Sequence, residues 1–306
     1  MPRLVSRFHC VLLFALATLP ATTAAAQDLT PRAYWPAPDG TKVVGFAYQY
    51  SSGDVLVDPS LPVVGVASKI HVTVLSYTQV FGLAGRTANL QLSLPYSWSD
   101  TSGFLEGQFV SRSPAGFGDI RARLSVNLVG APSMDPAGMQ QLRANPRPII
   151  GASVAVQIPS GTYDADRLLN VGTNRWAVKP AVGFILPIRP TWLLELDAGV
   201  WLFSTNDEFL GTTRRQDPIL STEMHLIKRI RPGFWASFDA NFYVGGRTTV
   251  GEAIRADLQR NSRLGGTLTF PFRGRHALRA NASFGIITKS GGDFFSTSVS
   301  YLYGWR

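Results

Sequence analysis

The chain has 306 residues, of which 45% are hydrophobic and 11% are aromatic, and it carries a net charge of +9. The positive charge is spread along the sequence and forms no basic stripe on a helix, so no nucleic-acid partner is expected. The single cysteine, Cys10, excludes a disulfide framework within the chain.

Residues 1–26 have the pattern of a secretory signal peptide. Arg3 and Arg7 precede an apolar core at 11–19, and Ala24-Ala25-Ala26 provides the small residues of a cleavage site. Cleavage would remove both arginines and lower the net charge from +9 to +7. The protein is therefore expected to be exported.

Residues 27–40 contain three prolines and predict an extended periplasmic lead-in that is too short to form a plug. From residue 41 onward, apolar and polar side chains alternate with the period of two that is typical of β-strands. The pattern predicts twelve strands, at 41–50, 69–81, 87–98, 117–129, 148–159, 174–187, 191–204, 216–229, 233–245, 261–272, 276–288 and 294–305. Their even number, and lengths at or above the roughly 9–11 residues that a tilted strand needs to cross a bilayer, are typical of membrane barrels.

The predicted connections alternate between short turns and long polar loops. The short turns are 82–86, 188–190, 230–232 and 273–275, and the long loops are 51–68, 99–116, 160–173, 205–215 and 246–260. Outer-membrane barrels have tight periplasmic turns and longer outer loops, so both chain ends are expected in the periplasm. One long connection, 130–147, falls on that side, and Asp135 followed by Pro136 predicts a short capped helix within it.

The charged residues of the strands share the polar face. They are Arg121, Arg123, Lys179, Glu195, Asp197, Glu223, Asp239, Arg263 and Arg279. A basic residue facing lipid at mid-bilayer costs roughly 2–4 kcal/mol, so these side chains are expected to face a lumen. A soluble sandwich with its apolar faces inward is the alternative fold. The observations favour an all-β transmembrane antiparallel barrel of about 12 strands at 41–306, of the outer-membrane type.

Aromatic residues near both ends of the apolar faces also favour the membrane barrel. Tyr48, Tyr50, Tyr96, Trp98 and Trp176 lie near one end, and Trp192, Phe234, Phe270 and Trp305 lie near the other. Two such belts mark the interfaces of a bilayer. The last strand, 294–305, resembles the closing strand that the barrel assembly machinery would engage. The expected location is the outer membrane, in contact with its lipid and lipopolysaccharide.

Several loop segments resemble a known family. They are Asp28-Leu29-Thr30-Pro31-Arg32, Asp58-Pro59-Ser60-Leu61-Pro62, Gly116-Phe117-Gly118-Asp119, Leu124-Ser125-Val126-Asn127-Leu128, Gly130-Ala131-Pro132, Tyr163-Asp164-Ala165-Asp166-Arg167-Leu168, Gly172-Thr173-Asn174-Arg175-Trp176, Gln216-Asp217-Pro218-Ile219, Gly245-Gly246-Arg247-Thr248-Thr249 and Leu258-Gln259-Arg260-Asn261-Ser262-Arg263. Together they resemble the outer-membrane transporters named for the meta-cleavage pathway of phenol degradation. The resemblance implies uptake or export of small, aromatic compounds and no catalytic residues.

Three sets of residues are candidates for the functional site. The expected pore lining consists of the nine charged residues above together with His225 and Asn241. An aromatic ladder for a phenolic ring would be formed by Trp201, Trp235 and Tyr243. A gate in the outer loops would be formed by Asp164, Asp166, Arg167, Arg175, Arg214, Asp217, Arg247 and Arg260.

Each set also has a structural interpretation. Acidic and basic walls could orient a solute crossing the pore, or the charges could pair across strands and fill the interior. The loop charges could instead fold the loops or contact lipopolysaccharide, and the aromatic residues could fill space.

Enzymatic activity is not expected. Apart from His9 in the predicted signal peptide, the chain has His71, His225 and His276, and none is expected among the lipid-facing residues with a serine nearby. No metal site or cofactor is expected. The sequence therefore predicts a passive or facilitated channel for a small organic solute. A closed structural barrel that contacts envelope components is the alternative, and an outer-membrane enzyme is a weaker one.

Overall fold

The computed structural model describes residue 29, residues 31–56 and residues 63–306; the predicted signal peptide, residues 1–26, lies outside these ranges. In chain order, the described strands are β1 (Lys42–Leu56), β2 (Val63–Leu83), β3 (Arg86–Leu105), β4 (Gln108–Arg112), β5 (Ala115–Phe117), β6 (Ile120–Val129), β7 (Ile149–Ile158), β8 (Ala177–Arg189), β9 (Trp192–Phe203), β10 (Asn206–Phe209), β11 (Thr212–Gln216), β12 (Ile219–Arg231), β13 (Phe234–Gly245), β14 (Thr248–Val250), β15 (Ala253–Ile254), β16 (Gln259–Phe272), β17 (His276–Ile287) and β18 (Gly291–Trp305). The helix α1 (Pro136–Ala144) lies between β6 and β7.

In the described chain, twelve long strands close into one antiparallel barrel, as the sequence predicts. Their order around the barrel is β1, β2, β3, β6, β7, β8, β9, β12, β13, β16, β17 and β18, and β18 then pairs with β1. The closing register runs from Lys42 opposite Trp305 to Leu56 opposite Gly291. Among these twelve strands, those that follow one another along the chain are therefore paired side by side in the barrel.

The apolar face of each strand points away from the barrel axis. Phe46 lies opposite Leu75 in the β1–β2 pair, and both side chains are 53% exposed. On the other face, His225 lies between Glu195 of β9 and Asp239 of β13, and all three are buried. This inversion of a soluble fold is the arrangement expected of a membrane barrel.

The structure corrects the extent of the strands. Strands β2 and β3 have 21 and 20 residues, about twice the roughly 9–11 residues that span a bilayer. Their paired ends occupy parts of the predicted loops 51–68 and 99–116. The ladder continues because each further residue pair satisfies two backbone groups that would otherwise need other partners.

The predicted loops 205–215 and 246–260 also contain strands. In the described chain, β10, β11, β14 and β15 form a separate four-stranded sheet, here called the loop sheet. We call the end of the barrel that carries the loop sheet the loop end, and the opposite end, with the short connections, the turn end.

The predicted capped helix is confirmed as α1, which lies at the turn end. The side chain of Asp135 accepts a hydrogen bond from the Gly138 amide at 2.8 Å, and Pro136 begins the helix. Met139 and Leu142 are buried against the barrel. Among the described residues, no helix combines the length and apolarity needed to cross a membrane.

The lead-in differs from the extended segment expected at 27–40, because residues 31–34 form a turn that enters the turn end of the barrel. There, Tyr34 is 1% exposed and packs in an apolar group that we call the turn-end cluster. The members of this cluster are Tyr34, Ala131, Leu142, Ile149, Ile185, Leu193, Ile227 and Trp235. The short lead-in, the helix connection and inward apolar side chains of the strands thus pack together at this end.

The outward orientation of the apolar face can be tested at Met224, an exposed residue near the middle of β12. We expect Met224→Arg to lower the free energy of unfolding from lipid vesicles by roughly 2–4 kcal/mol, because the guanidinium would face hydrocarbon. The control is Gln49→Arg, since Gln49 lies on the inward face between the uncharged residues Ser298 and Val72. Urea titration measures both, and an equal loss in the two variants would contradict the assigned faces.

Candidate functional site

The register places the predicted pore-lining residues on the inward face. Cross-strand pairs join Glu223 with Asp197 and Asn241, and His225 with Glu195 and Asp239. The remaining predicted residues share this face through the pairings of β3, β6, β7, β8, β16 and β17: Arg121, Arg123, Lys179, Arg263 and Arg279. The period-two pattern of the sequence is sufficient to place each of them.

The acidic residues are held in a buried ionic network. Lys179 Nζ lies 3.4 Å from carboxylate oxygens of both Asp197 and Glu223. His225 bridges the next pair, with Nε2 3.4 Å from Glu223 and Nδ1 2.8 Å from Asp239. Their charges are thus balanced by neighbours, and an acidic wall facing an opposite basic wall is not what the side chains form.

The lead-in completes the coordination of the other acids. The backbone amide of Arg32 donates to Glu195 at 2.6 Å, and the hydroxyl of Tyr34 donates to Asp197 at 2.8 Å. The Tyr34 ring lies against two glycines, where an added Cβ would come within 2.3 Å of the ring at Gly151 and 2.0 Å at Gly183. These glycines form a notch in the wall that only the tyrosine fills.

Basic residues dominate the charges that remain accessible inside the barrel. Glu195, Asp197, Glu223 and Asp239 are buried. Arg121, Arg123, Lys179 and Arg279 are only partly buried on the same face. Arg263 differs, since it is buried and donates to the hydroxyls of Ser283 and Ser296 and to a backbone carbonyl. On this face, basic side chains are therefore more accessible than the carboxylates.

One side of the interior is lined by small, uncharged side chains. Strands β18, β1, β2 and β3 pair through the inward residues Ser298, Gln49, Val72 and Ser97, all of which are partly exposed. A second row contains Ser300, Ala47, Val74 and Pro95, and it is also partly exposed. We call this surface the open wall. It lies across the barrel from the ionic network of β8, β9, β12 and β13.

The three aromatic residues predicted to form a ladder face inward but do not form one. Trp201 and Tyr243 belong to a group near the loop end, together with Ala177, Ile219 and Phe203. Trp235 instead belongs to the turn-end cluster. The charged network lies between the two groups along the strands. The alternation of residues along a strand therefore predicts which face each side chain takes, but it does not predict which side chains touch.

The predicted gate residues divide into a buried pair and an exposed set. Arg175 and Arg214 are buried beneath the loop sheet. The others lie on the surface or partly so, where Asp164 and Arg167 form an exposed salt bridge at 2.9 Å: Asp164, Asp166, Arg167, Asp217, Arg247 and Arg260. An exposed pair of this kind contributes little to stability, about 0–1 kcal/mol.

A buried carboxylate fixes the loops around the mouth. Asp119 accepts hydrogen bonds from the amides of Gly161 and Thr173 at 2.9 and 3.0 Å, and from the side chains of Thr173 and Gln157 at 2.6 and 2.9 Å. The segment Gly116–Asp119 is thus hydrogen-bonded to both ends of the connection between β7 and β8. Its glycines are required because Thr162 packs where a Cβ of Gly116 would lie.

His71 lies on the outward face of the barrel, where the sequence predicted no histidine. His71 pairs with Tyr50 and points outward near the loop end. It stacks on Trp98 with ring centroids 5.1 Å apart, and its Nδ1 lies 2.7 Å from the hydroxyl of Tyr48. The hydrogen bond to Tyr48 gives this ring nitrogen a partner on the outward face. Within the described chain, no group of three His, Cys, Asp or Glu residues is arranged to hold a metal ion.

The closed barrel, the outward apolar face and the charged interior define a fold of the outer-membrane channel class. Among solved structures, the COG4313 outer membrane channel from Pseudomonas putida F1 matches with a TM-score of 0.77 and 20% identity, over 91% of this chain and 100% of that chain. The chain belongs to the family described as "Putative MetA-pathway of phenol degradation", whose model matches residues 45–303.

A second structure shares the barrel more loosely. The transport unit of the autotransporter AIDA-I from Escherichia coli matches with a TM-score of 0.50 and 9% identity, over 93% of each chain. No curated protein sequence matches this chain. The solved structures thus establish the fold, and the family model establishes the family.

The ionic network can be tested by a double-mutant cycle on Lys179 and Glu223. We expect Lys179→Met to destabilise the barrel strongly, because it leaves two carboxylates without their shared cation. Adding Glu223→Gln should recover part of the loss, with a coupling energy of roughly 0.5–3 kcal/mol. Urea unfolding measures the cycle. A second cycle, which combines Lys179→Met with Ser296→Ala on the opposite wall, is the control and should show no coupling energy. A Lys179–Glu223 coupling energy as small as that of the control would contradict the network.

Proposed function

We propose that this protein is a passive channel of the bacterial outer membrane for small organic molecules. The observation that carries the proposal is the open wall, whose small inward side chains stay partly exposed while the opposite half of the barrel is filled. A continuous wall without charged or bulky groups allows a solute to pass without stripping its hydration at fixed charges. The family and the channel fold support the same conclusion.

The orientation follows from the connections. The turn end, with its short turns, faces the periplasm, and the loop sheet faces the exterior. A cleaved signal peptide at 1–26 delivers the chain to the periplasm for insertion. Outer-membrane lipid and lipopolysaccharide surround the outward face.

The accessible charges favour anions and neutral solutes. Arg121 and Arg123 lie on β6, next to the open wall, and they are more accessible than the carboxylates across the barrel. A positive lumen raises the local concentration of anions and disfavours cations. We therefore propose that the channel prefers small organic anions over organic cations.

In this proposal, the turn-end cluster narrows the lumen and limits the passage of ions and solutes. Tyr34 fills the notch between β7 and β8, and Leu142 of α1 packs in the same cluster. The alternative function, a closed structural barrel, draws its support from this cluster, since apolar packing across one end can seal the lumen. The two functions differ in whether residues near Tyr34 control a current.

Planar-bilayer recording distinguishes them. We expect a small wild-type conductance and a several-fold larger one in Tyr34→Ala, because the substitution removes the ring and its bonds to Asp197 and Ser153. The control is Tyr96→Ala, which removes a tyrosine from the outward face. Silence of both the wild type and Tyr34→Ala, with folding verified by heat-modifiability on gels, would rule out the channel.

The charge preference is measured in the same bilayers. Under a salt gradient, the reversal potential should indicate anion preference, and Arg121→Gln should shift it toward cations. Arg231→Gln is a suitable control because Arg231 is an exposed residue at the end of β12, stacked over Phe234 on the outward side. A cation preference in the wild type would contradict the proposed role of the arginines.

A further inference from the structure

Two buried arginines at the loop sheet lie close enough for the charge of Arg214 to act on Arg175. Arg214 and Gln216 lie two residues apart on β11 and thus share one face of the strand. The side-chain oxygen of Gln216 accepts a hydrogen bond from Nη2 of Arg175, so this face is turned toward Arg175. Arg175 is 5% exposed and Arg214 is 8% exposed. Two guanidinium groups are therefore brought into one enclosed space.

The nearest carboxylates attract these arginines without forming ion pairs with them: Asp119 acts on Arg175 and Asp257 acts on Arg214. Asp119 is occupied by four hydrogen bonds from the loops, and Asp257 accepts from the amide and hydroxyl of Thr248 at 2.8 and 2.6 Å. Neither arginine forms a salt bridge with a carboxylate of the described chain. Within that chain, Nη1 of Arg175 is buried and has no hydrogen-bond partner.

Burial makes these two positive charges unfavourable. Burial, and next the positive charge of Arg214, lower the pKa of Arg175 to about 9, against the attraction of Asp119. Burial likewise lowers the pKa of Arg214, against the attraction of Asp257. Both groups still carry a proton near neutral pH. A buried cation whose nearest carboxylate is held by other groups costs free energy that an anion placed between the two arginines would recover.

The surfaces around the arginines are aromatic. The guanidinium of Arg175 lies 4.5 Å from the centroid of Phe203, and that of Arg214 lies 5.3 Å from Phe209. Phe203 stacks in turn on Trp201, with centroids 6.5 Å apart and planes at 14°. Both Trp201 and Phe203 face the lumen from the end of β9. A surface of two stacked aromatic rings thus leads from Arg175 into the barrel.

Resting on the proposed channel function, we propose that Arg175 and Arg214 form a binding site for an aromatic carboxylate at the outer mouth. The carboxylate accepts charge-assisted hydrogen bonds from the two guanidinium groups, one at each oxygen, and the ring packs against Trp201 and Phe203. Nη1 of Arg175 donates to one carboxylate oxygen. Entry requires the loop sheet to move, because both arginines are enclosed in the present arrangement.

Binding of benzoate to the purified full-length protein in detergent tests the site without relying on transport. We expect benzoate to bind more tightly than acetate, which lacks the ring, and than phenol or benzylamine, which lack the carboxylate. Isothermal titration calorimetry measures all four. Arg175→Gln and Arg214→Gln should each weaken benzoate binding by about 10- to 100-fold, the effect of losing a hydrogen bond to a charged group.

Gln216→Glu is a second kind of variant, because it keeps both arginines and supplies an internal anion beside Arg175. The new carboxylate can still accept the bond from Arg175, but it loses the hydrogen bond that Nε2 of Gln216 donates to the Gly246 carbonyl at 2.9 Å, so folding of this variant is verified first. We expect this variant to retain the heat-modifiable barrel and to lose benzoate binding. Arg167→Gln, an exposed arginine that also lies in an outer loop, is the matched control and should bind as the wild type does.

The outcomes separate the site from the channel. Benzoate affinity unchanged in Gln216→Glu and in both arginine variants would overturn the site. Acetate binding as tight as benzoate would overturn the aromatic class. A benzoate-binding protein that is silent in bilayers with Tyr34→Ala would refute the channel and leave the site standing. A conducting wild type without benzoate binding would refute the site alone.

Discussion

The constraint on which the structure depends is that hydrocarbon surrounds the barrel and supplies no hydrogen bonds. Backbone groups must then be paired within a closed sheet, and each charge on a strand must turn inward or pay a large desolvation cost. Twelve strands closing from β1 to β18 satisfy the first requirement, and the network of Lys179, Glu223 and His225 satisfies the second. The loop sheet applies the same pairing rule beyond the bilayer, where the strands of the barrel end.

The interior is divided by its charges into two halves with different roles. On β8, β9, β12 and β13, acids are paired with Lys179 and His225 and are withdrawn from solvent. On β18, β1, β2 and β3, small neutral side chains remain accessible. Filling one half leaves basic side chains as the more accessible charges of the interior. In the proposed channel, the residues that fill one half would therefore also set the charge that a solute meets.

Most of the barrel was predictable from sequence because strand parity is a local property. The residues expected inside, from Arg121 to Arg279, lie on the inward face, and the twelve strands were correctly located. The lead-in was not predictable, since Tyr34 bonds to Asp197 across 163 positions of the chain and fits glycines of two other strands. Arg175 and Arg214 resemble other loop charges in sequence, and only burial distinguishes them from Arg167.

The notch formed by Gly151 and Gly183 has a consequence for the order of assembly. These glycines come together only when β7 and β8 have paired, and the tyrosine that fills the notch also needs Asp197 of β9. The segment around Tyr34 therefore cannot reach its final packing until β7, β8 and β9 have paired. A contact near one end of the chain thus depends on strands more than a hundred residues further along it.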